Sequence, residues 1–205
     1  IFFNLLMTLS VQALEVEHLN GVAQDSKEIM YFSSHEGVYR YDGEHNINIS
    51  KYSGLPDGIV KDIEVSKNDI AYVLYSNGSI WSIDLEKMKA QHFANSEAVK
   101  IEISENSLFS LSKNDLSTYD LQSKSFQNVL LNKKRIIDFD AGYGNSFVLA
   151  DDGLYQVTDK SIKQLIDLDV KKGEVLATPH GAVYVANSGI SFYSLLQQLS
   201  IAFAD

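Results

Sequence analysis

The 205-residue chain contains no cysteine, which excludes a disulfide framework, a thiolate zinc site and a cysteine nucleophile. It is poor in basic residues, with 17 Lys plus Arg against 27 Asp plus Glu, for a net charge of −10. Binding to nucleic-acid phosphate draws mostly on clustered Lys and Arg, so that class of function is excluded. No stretch beyond residue 13 is long and apolar enough to cross a membrane. The five histidines (18, 35, 45, 92 and 180) show no metal-ligand spacing, and no Gly-x-Ser-x-Gly elbow occurs. Stripes of 3.6-residue period are also missing, which removes the helical solenoids. What the chain does have is 45% hydrophobic content and 11% aromatics, enough for a packed core and weighted toward strands.

The first 13 residues, IFFNLLMTLSVQA, are uncharged, apolar up to Thr8, and end in the small-x-small triplet Val11-Gln12-Ala13. The run is short for a spanning helix and reads as the remnant of a secretory signal, lacking its basic start. The expectation is export to the periplasm, with no further membrane segment in the chain.

From residue 20 onward one unit recurs. Tight-turn pairs sit at Glu36-Gly37, Asn77-Gly78, Asn114-Asp115, Asp152-Gly153 and Ser188-Gly189, spaced by 41, 37, 38 and 36 residues. Asn-Gly and Asp-Gly supply the positive φ of hairpin turns. Each pair is preceded by a strand-like run (MYFSS, AYVLYS, LFSLS, SFVLA, AVYVAN) and followed by another (VYRYD, IWSID, LSTYD, LYQVT, ISFYS). Upstream lie alternating runs in which Ile63 and Val65, or Val99, Ile101 and Ile103, share a face; downstream are weaker runs such as KAQHF. Four short strands per roughly 40 residues is the pattern of a β-propeller blade. The expected fold is therefore all-β, a propeller of about five four-stranded antiparallel blades over 14–205. The blades fall near 20–52, 53–93, 94–130, 131–167 and 168–205.

The stretch from Val22 to Gly43, followed by YSGLPDGIVKDIEV and SNGSIWSID, resembles the two-component regulator propeller repeat. Asp25 takes that repeat's Asp position, Tyr31 its Trp position and Ser34 its Thr position. Gly37, Val38, Arg40, Tyr41, Asp42 and Gly43 match the hairpin and its exit, and Gly54, Leu55 and Pro56 match the start of the next blade. The second unit keeps Gly78 and Trp81 but has Ser66 in the Asp position, and later units keep only spacing and apolar pattern. The resemblance implies the periplasmic sensory half of a membrane-spanning histidine kinase or diguanylate cyclase. It also implies about seven blades, so the chain is expected to be an incomplete array of a longer protein. Leu14–His18 would be a closing strand, and the competing outcome is a closed ring in which it pairs near Leu199–Phe203.

Candidate chemistry is sparse. Glu64, Glu102 and Asp140 recur 38 residues apart in the first strand of successive units, flanked by apolar neighbours. They form a row of carboxylates facing a channel, able to attract a cation or accept sugar hydroxyls, or else a solvated polar row. Asp138 to Gly142 lacks the third oxygen ligand and closing Glu of a calcium loop. Lys133, Lys134 and Arg135 read as a solvated connection, and Trp81 with Tyr39, Tyr41, Tyr119 and Tyr155 as packing between blades. The connections Ser53–Gly58, Ala94–Ala98, Asn132–Arg135 and Lys171–Gly173 are the candidate binding rim. The expected function is non-catalytic sensing through a small molecule, a glycan or a periplasmic protein, with no catalytic residue, no cofactor, no metal and no nucleic acid. The membrane would be reached only through a helix elsewhere in a parent protein. The alternatives are a five-bladed carbohydrate-active enzyme using paired carboxylates and an adaptor of an envelope or secretion assembly.

Overall fold

The computed structural model describes residues 18–112, 115–123, 125–129, 134–158, 161–187, 189–197 and 199–202, with backbone only for 125–129, 199–200 and 202. The expected leader (1–13), the closing strand apart from His18, and Asn114, Lys133 and Ser188 lie outside them.

Five four-stranded antiparallel sheets follow one another, each joined in simple sequence order. The first holds β1 (Leu19–Gln24), β2 (Met30–Ser34), β3 (Gly37–Tyr41) and β4 (Asn46–Asn48). After a single turn of helix, α1 (Ser50–Ser53), comes the second, with β5 (Val60–Val65), β6 (Ile70–Tyr75), β7 (Ser79–Asp84) and β8 (Lys89–Asn95). The third is β9 (Lys100–Ser104), β10 (Ser107–Leu111), β11 (Leu116–Asp120) and β12 (Ser125–Val129). The fourth is β13 (Ile136–Gly142), β14 (Asn145–Ala150), β15 (Gly153–Val157) and β16 (Ile162–Asp167). The fifth is β17 (Gly173–Thr178), β18 (Gly181–Ala186), β19 (Gly189–Ser194) and β20 (Leu199–Ala202). The fold is all-β and built of propeller blades.

The blades stack through their first strands, β1 on β5, β5 on β9, β9 on β13 and β13 on β17. Side chains alternate across each sheet, so each blade sends one set forward and one set back. In β6, Ala71 and Val73 face back into a core with Tyr31, Val38 and Ile49 of the first blade. Tyr72 and Leu74 face forward onto Ile101 and Leu108 of the third. In β14, Val148 faces back to Phe109 and Leu116, while Phe147 and Leu149 face forward to Val175, Ala182 and Tyr184. Second strands are therefore covered on both faces, which is why they read as nearly unbroken apolar runs rather than alternating ones. Phe109 and Phe139 meet across the third interface with ring centroids 5.3 Å apart.

Two faces lack this cover. Leu176 and Ile190 of the fifth blade are 58% and 49% exposed. Leu154 and Ile80, which match Ile190 in the fourth and second blades, are 1% and 2% exposed. At the other end Val22, at the position of buried Ile63, is 54% exposed. Among the described residues β17 and β1 do not pack together as successive first strands do, and β20 pairs only with β19. The described blades thus form an open array. Val99, expected to share a face with Ile101 and Ile103, is 54% exposed because it precedes β9 in the connection and only Ile101 and Ile103 lie within the strand.

The repeat motif residues build turns and lock strands. Asp25 Oδ1 accepts the amides of Lys27 and Ile29, and Oδ2 accepts the hydroxyl of buried Tyr31 at 3.0 Å. Asp42 accepts the amides of Glu44 and His45 and pairs with Arg40 at 3.1 Å. These amides, helped by Arg40, hold the Asp42 carboxyl down at about 2. Tyr41 donates to Gly43 O, Gly54 ends α1 in the left-handed region, Leu55 enters the first core, and Pro56 O accepts the Tyr75 hydroxyl. In the second blade Ser66 Oγ accepts Ile70 N, a one-bond version of the Asp25 turn. Trp81 packs on the first core and edge-on to its cross-strand partner His92.

Gly37, Gly78 and Gly153 have φ of 122°, 83° and 143° at their hairpins. A Cβ at Gly78 would overlap the carbonyl oxygen of Ser96, so strain and a backbone clash coincide there. Replacing Gly78 with Val is expected to lower the unfolding free energy by about 1 kcal/mol or more, read by urea denaturation against the parent chain.

Candidate functional site

The inner strands bring together a ladder of charged side chains on the forward faces of the second, third and fourth blades. Asp62, Lys100 and Asp138 occupy one position 38 residues apart, and Glu64, Glu102 and Asp140 the position two residues on. All six side chains point toward the following blade because the strand period places i and i+2 on one face.

The first position ties blades together. Asp62 Oδ2 accepts Ile101 N of the next blade at 2.9 Å, and Asp138 Oδ2 accepts Val175 N at 2.9 Å. Lys100 solves the same problem with the opposite sign: its Nζ donates to the Phe139 carbonyl at 2.7 Å. Each reaches an inner-strand backbone group that no sheet partner can satisfy, and burial makes such groups costly to leave bare. The corresponding residue of the first blade is Gly21, where a Cβ would lie 2.7 Å from Asp62 Oδ1. There Asp62 Oδ1 accepts its own strand's Ile63 N, and Asn20 bridges to Val60 O instead.

The second position carries the three carboxylates singled out from the sequence, in three different states. Asp140 Oδ2 accepts Ala177 N at 2.6 Å and acts as another interblade tie. Glu102 is ion-paired with Lys100 at 2.8 Å, and Asp138 stands 3.9 Å from the same ammonium. Among the described residues Glu64 makes no hydrogen bond or ion pair. Burial, with Glu102 and Asp62 close by, pushes its carboxyl up to about 9, so it is protonated at neutral pH. Burial also raises Glu102, but Lys100 restrains it to about 7. Burial works against the Lys100 charge, yet Glu102, Asp138 and Asp140 outweigh it and keep the ammonium firmly protonated. The row is thus neither free nor simply solvated: one cation and several backbone amides already occupy it. Among the described residues no group of three His, Asp or Glu side chains is arranged to hold a metal ion.

The row of Asp62, Lys100 and Asp138 escaped the sequence reading, which weighed Asp138 only as the start of a calcium-like loop, although the same 38-residue spacing would have found it; their mixed charge hid the repeat. The basic connection also behaves differently from its reading as a solvated loop. Lys134 pairs with Asp152 and the Tyr155 hydroxyl, and Arg135 donates to Lys171 O at 3.0 Å, so both link neighbouring segments. Of the aromatic set, Tyr119 does bridge blades, 4.5 Å from Phe93, whereas Tyr39 and Tyr41 bond within their own blade. On the candidate rim, Ala94 joins Phe93, Leu108 and Tyr119 around an apolar cavity of about 230 Å³ between the second and third blades.

The sequence matches no family model and no curated protein. Its fold is similar to many solved structures. The BT4673 extracellular domain of B. thetaiotaomicron, named as part of a hybrid two-component system, superposes with a TM-score of 0.68 at 16% identity, over 92% of this chain and 28% of that one. The BT3049 extracellular domain, from another hybrid two-component system of B. thetaiotaomicron, gives 0.62 at 12% identity, over 92% and 30%. PorZ, a bacterial surface component of the type-IX secretion system of Porphyromonas gingivalis, gives 0.56 at 13%, over 92% and 33%. The chain therefore spans about a third or less of each of these proteins.

Two outcomes follow from the ladder. A carboxyl whose pKa is raised by folding stabilises the native state only while it keeps its proton. Stability should therefore fall as pH rises from an ordinary glutamate's 4.5 toward about 9 for Glu64, with the Glu102 share lost by about 7. Glu64→Gln mimics the protonated form and should flatten this slope, melting higher than the parent at pH 8 and equally at pH 5 in thermal scans. Asp62→Ala should cost about 1–3 kcal/mol by stripping the partner from Ile101 N, measured by urea unfolding.

Proposed function

We propose that the chain is part of the extracytoplasmic input region of a bacterial signalling protein, a non-catalytic propeller that passes a binding event to an output module elsewhere in the protein. The observation that carries this reading is the repeat motif. Asp25, Tyr31, Arg40, Asp42, Gly43, Gly54, Leu55 and Pro56 each perform a definite turn-building or core task in a propeller blade. The likeness in fold to extracellular domains of hybrid two-component systems supports it, as does the apolar, signal-like run at residues 1–13.

The exposed forward face of the fifth blade supports a longer array. Ile190 repeats an apolar position that the second and fourth blades bury, Leu176 puts an apolar side chain where earlier blades carry Glu64, Glu102 and Asp140, and Glu174 sits where Asp62 and Asp138 tie to the next blade. Signalling would then use small changes in the angle between blades. The contacts that set those angles are side-chain bonds to neighbouring backbone, such as Asp62 to Ile101 and Asp138 to Val175, and a ligand bridging two blades would favour one arrangement over another.

The enzymatic alternative is less well supported, because Asp140 is bound to a backbone amide and Glu102 to Lys100, leaving no free acid and base pair in the row. Two measurements test the proposal. The gene's own start codon through the codon for residue 30, fused to mature β-lactamase, should confer ampicillin resistance in a Gram-negative host, and failure to do so would remove the extracytoplasmic placement. The gene read past the codon for Asp205 should encode further blades, a membrane-crossing helix and a kinase or cyclase module. A secretion-system partner domain or a stop after one closing strand would instead favour an adaptor or a self-contained propeller.

A further inference from the structure

At the rim opposite the interblade connections, a cavity of about 310 Å³ opens between the third and fourth blades. One wall is the β9–β10 hairpin with Ser104, Glu105, Asn106 and Ser107; the other is the β13–β14 turn with Gly144 and Ser146. Asp120 closes one side, and Phe109, 3% exposed, forms the floor. The inner-strand ladder does not reach it.

Two hydroxyls on facing walls show that the cavity is built for more than packing. Ser104 and Ser146 are only 7% and 4% exposed, yet neither hydroxyl has a hydrogen-bond partner among the described residues. Ser34 and Ser66 bond their hydroxyls within the protein, and Ser53 and Ser82 enclose theirs fully, whereas the hydroxyls of Ser104 and Ser146 are not fully enclosed and open onto the cavity. Among the described residues the side chains of Glu105, Asn106 and Ser107 likewise have no hydrogen-bond partner. Asp120 is held in place, its Oδ1 accepting Gln122 N and Ser123 N and its carboxylate also bonded to the Ser123 side chain. The opening is maintained by Gly144, since a Cβ there would stand 2.8 Å from Glu105 Oε1.

The donor and acceptor inventory selects the ligand. Serine hydroxyls and the asparagine amide both give and take hydrogen bonds, whereas the two carboxylates only accept. An anion would be repelled by Glu105 and Asp120. An ammonium ion only donates, and would leave the serine O–H and asparagine N–H₂ groups without an acceptor. Neutral O–H groups, which do both, match the whole set, and the apolar Phe109 floor suits the C–H face of a small ring. We propose that this cavity is a binding site for a small uncharged polyol of about monosaccharide size, held between the third and fourth blades. The site goes beyond the signalling reading and is independent of it: binding can be present or absent whatever the export test returns.

The test is a titration of the 205-residue chain with D-glucose, D-galactose and myo-inositol, with spermidine and sulfate as charged probes, followed by amide chemical shifts. Saturable shifts at Glu105–Ser107 and Gly144–Ser146 with at least one polyol are expected at millimolar concentration. Ser104→Ala and Ser146→Ala should each weaken that binding about three- to tenfold, the loss of one neutral hydrogen bond. Their melting temperatures should stay level or rise, because the hydroxyls have no partner inside the protein. Absence of saturable binding by all three polyols overturns the site. Binding of spermidine alone overturns the ligand class. Polyol affinity unchanged in both variants, or shifts confined to other blades, overturns the location.

Discussion

Everything in this chain depends on one constraint: a blade is a small sheet with two apolar faces and cannot cover either by itself. Ile63 and Val73 are buried only because Tyr31 and Val38 stand behind them, and Leu74 only because Ile101 and Leu108 stand in front. Stability is therefore a property of interfaces, shared between neighbours in the manner of other repeat arrays. The same constraint explains the aromatic content. Phe, Tyr and Trp fill the wedge between sheets that splay outward, and pairs such as Phe109–Phe139 and Phe93–Tyr119 cross from one blade to the next.

Apolar packing sets blades side by side but does not fix their angle. That is the part played by polar groups on the inner strands, where the backbones come closest. A buried peptide group there demands a partner, and the chain supplies one from the preceding blade each time: a carboxylate to an amide at Asp62 and Asp138, an ammonium to a carbonyl at Lys100. Having one Lys among the acids also offsets part of their mutual repulsion. Glu64, with no partner of its own, keeps its proton instead. A charge added to this crowded row would have to be accommodated by a shift in how two blades meet.

The rims are governed by different rules. Turns there need positive φ or a capping side chain, and the repeat motif is largely a collection of such devices, with Asp25, Asp42, Gly37 and Gly54 each satisfying backbone that has left a strand. Because rim side chains carry little of the core, they are free to differ between blades. The third and fourth blades leave a polar cavity at one rim, and toward the opposite rim Phe93 and Tyr119 line an apolar one between the second and third.

Much of this was legible in the linear chain. Turn pairs with glycine at regular spacing mark hairpins because few other residues reach positive φ, and flanking apolar runs mark strands covered on both faces, so the five meanders could be placed without coordinates. Glu64, Glu102 and Asp140 could be aligned by spacing alone, since register within a repeat is a local property. Their states could not. Whether a carboxylate accepts an amide, meets an ammonium or holds a proton depends on what the next blade brings within about 3 Å, and the sequence carries no distances between blades. The same limit concealed the Lys134–Asp152–Tyr155 cluster and the unpartnered hydroxyls of Ser104 and Ser146. Local backbone preference and strand period determined the blades; the meeting of residues some 38 positions apart, which only the stacked sheets bring about, decided the chemistry between them.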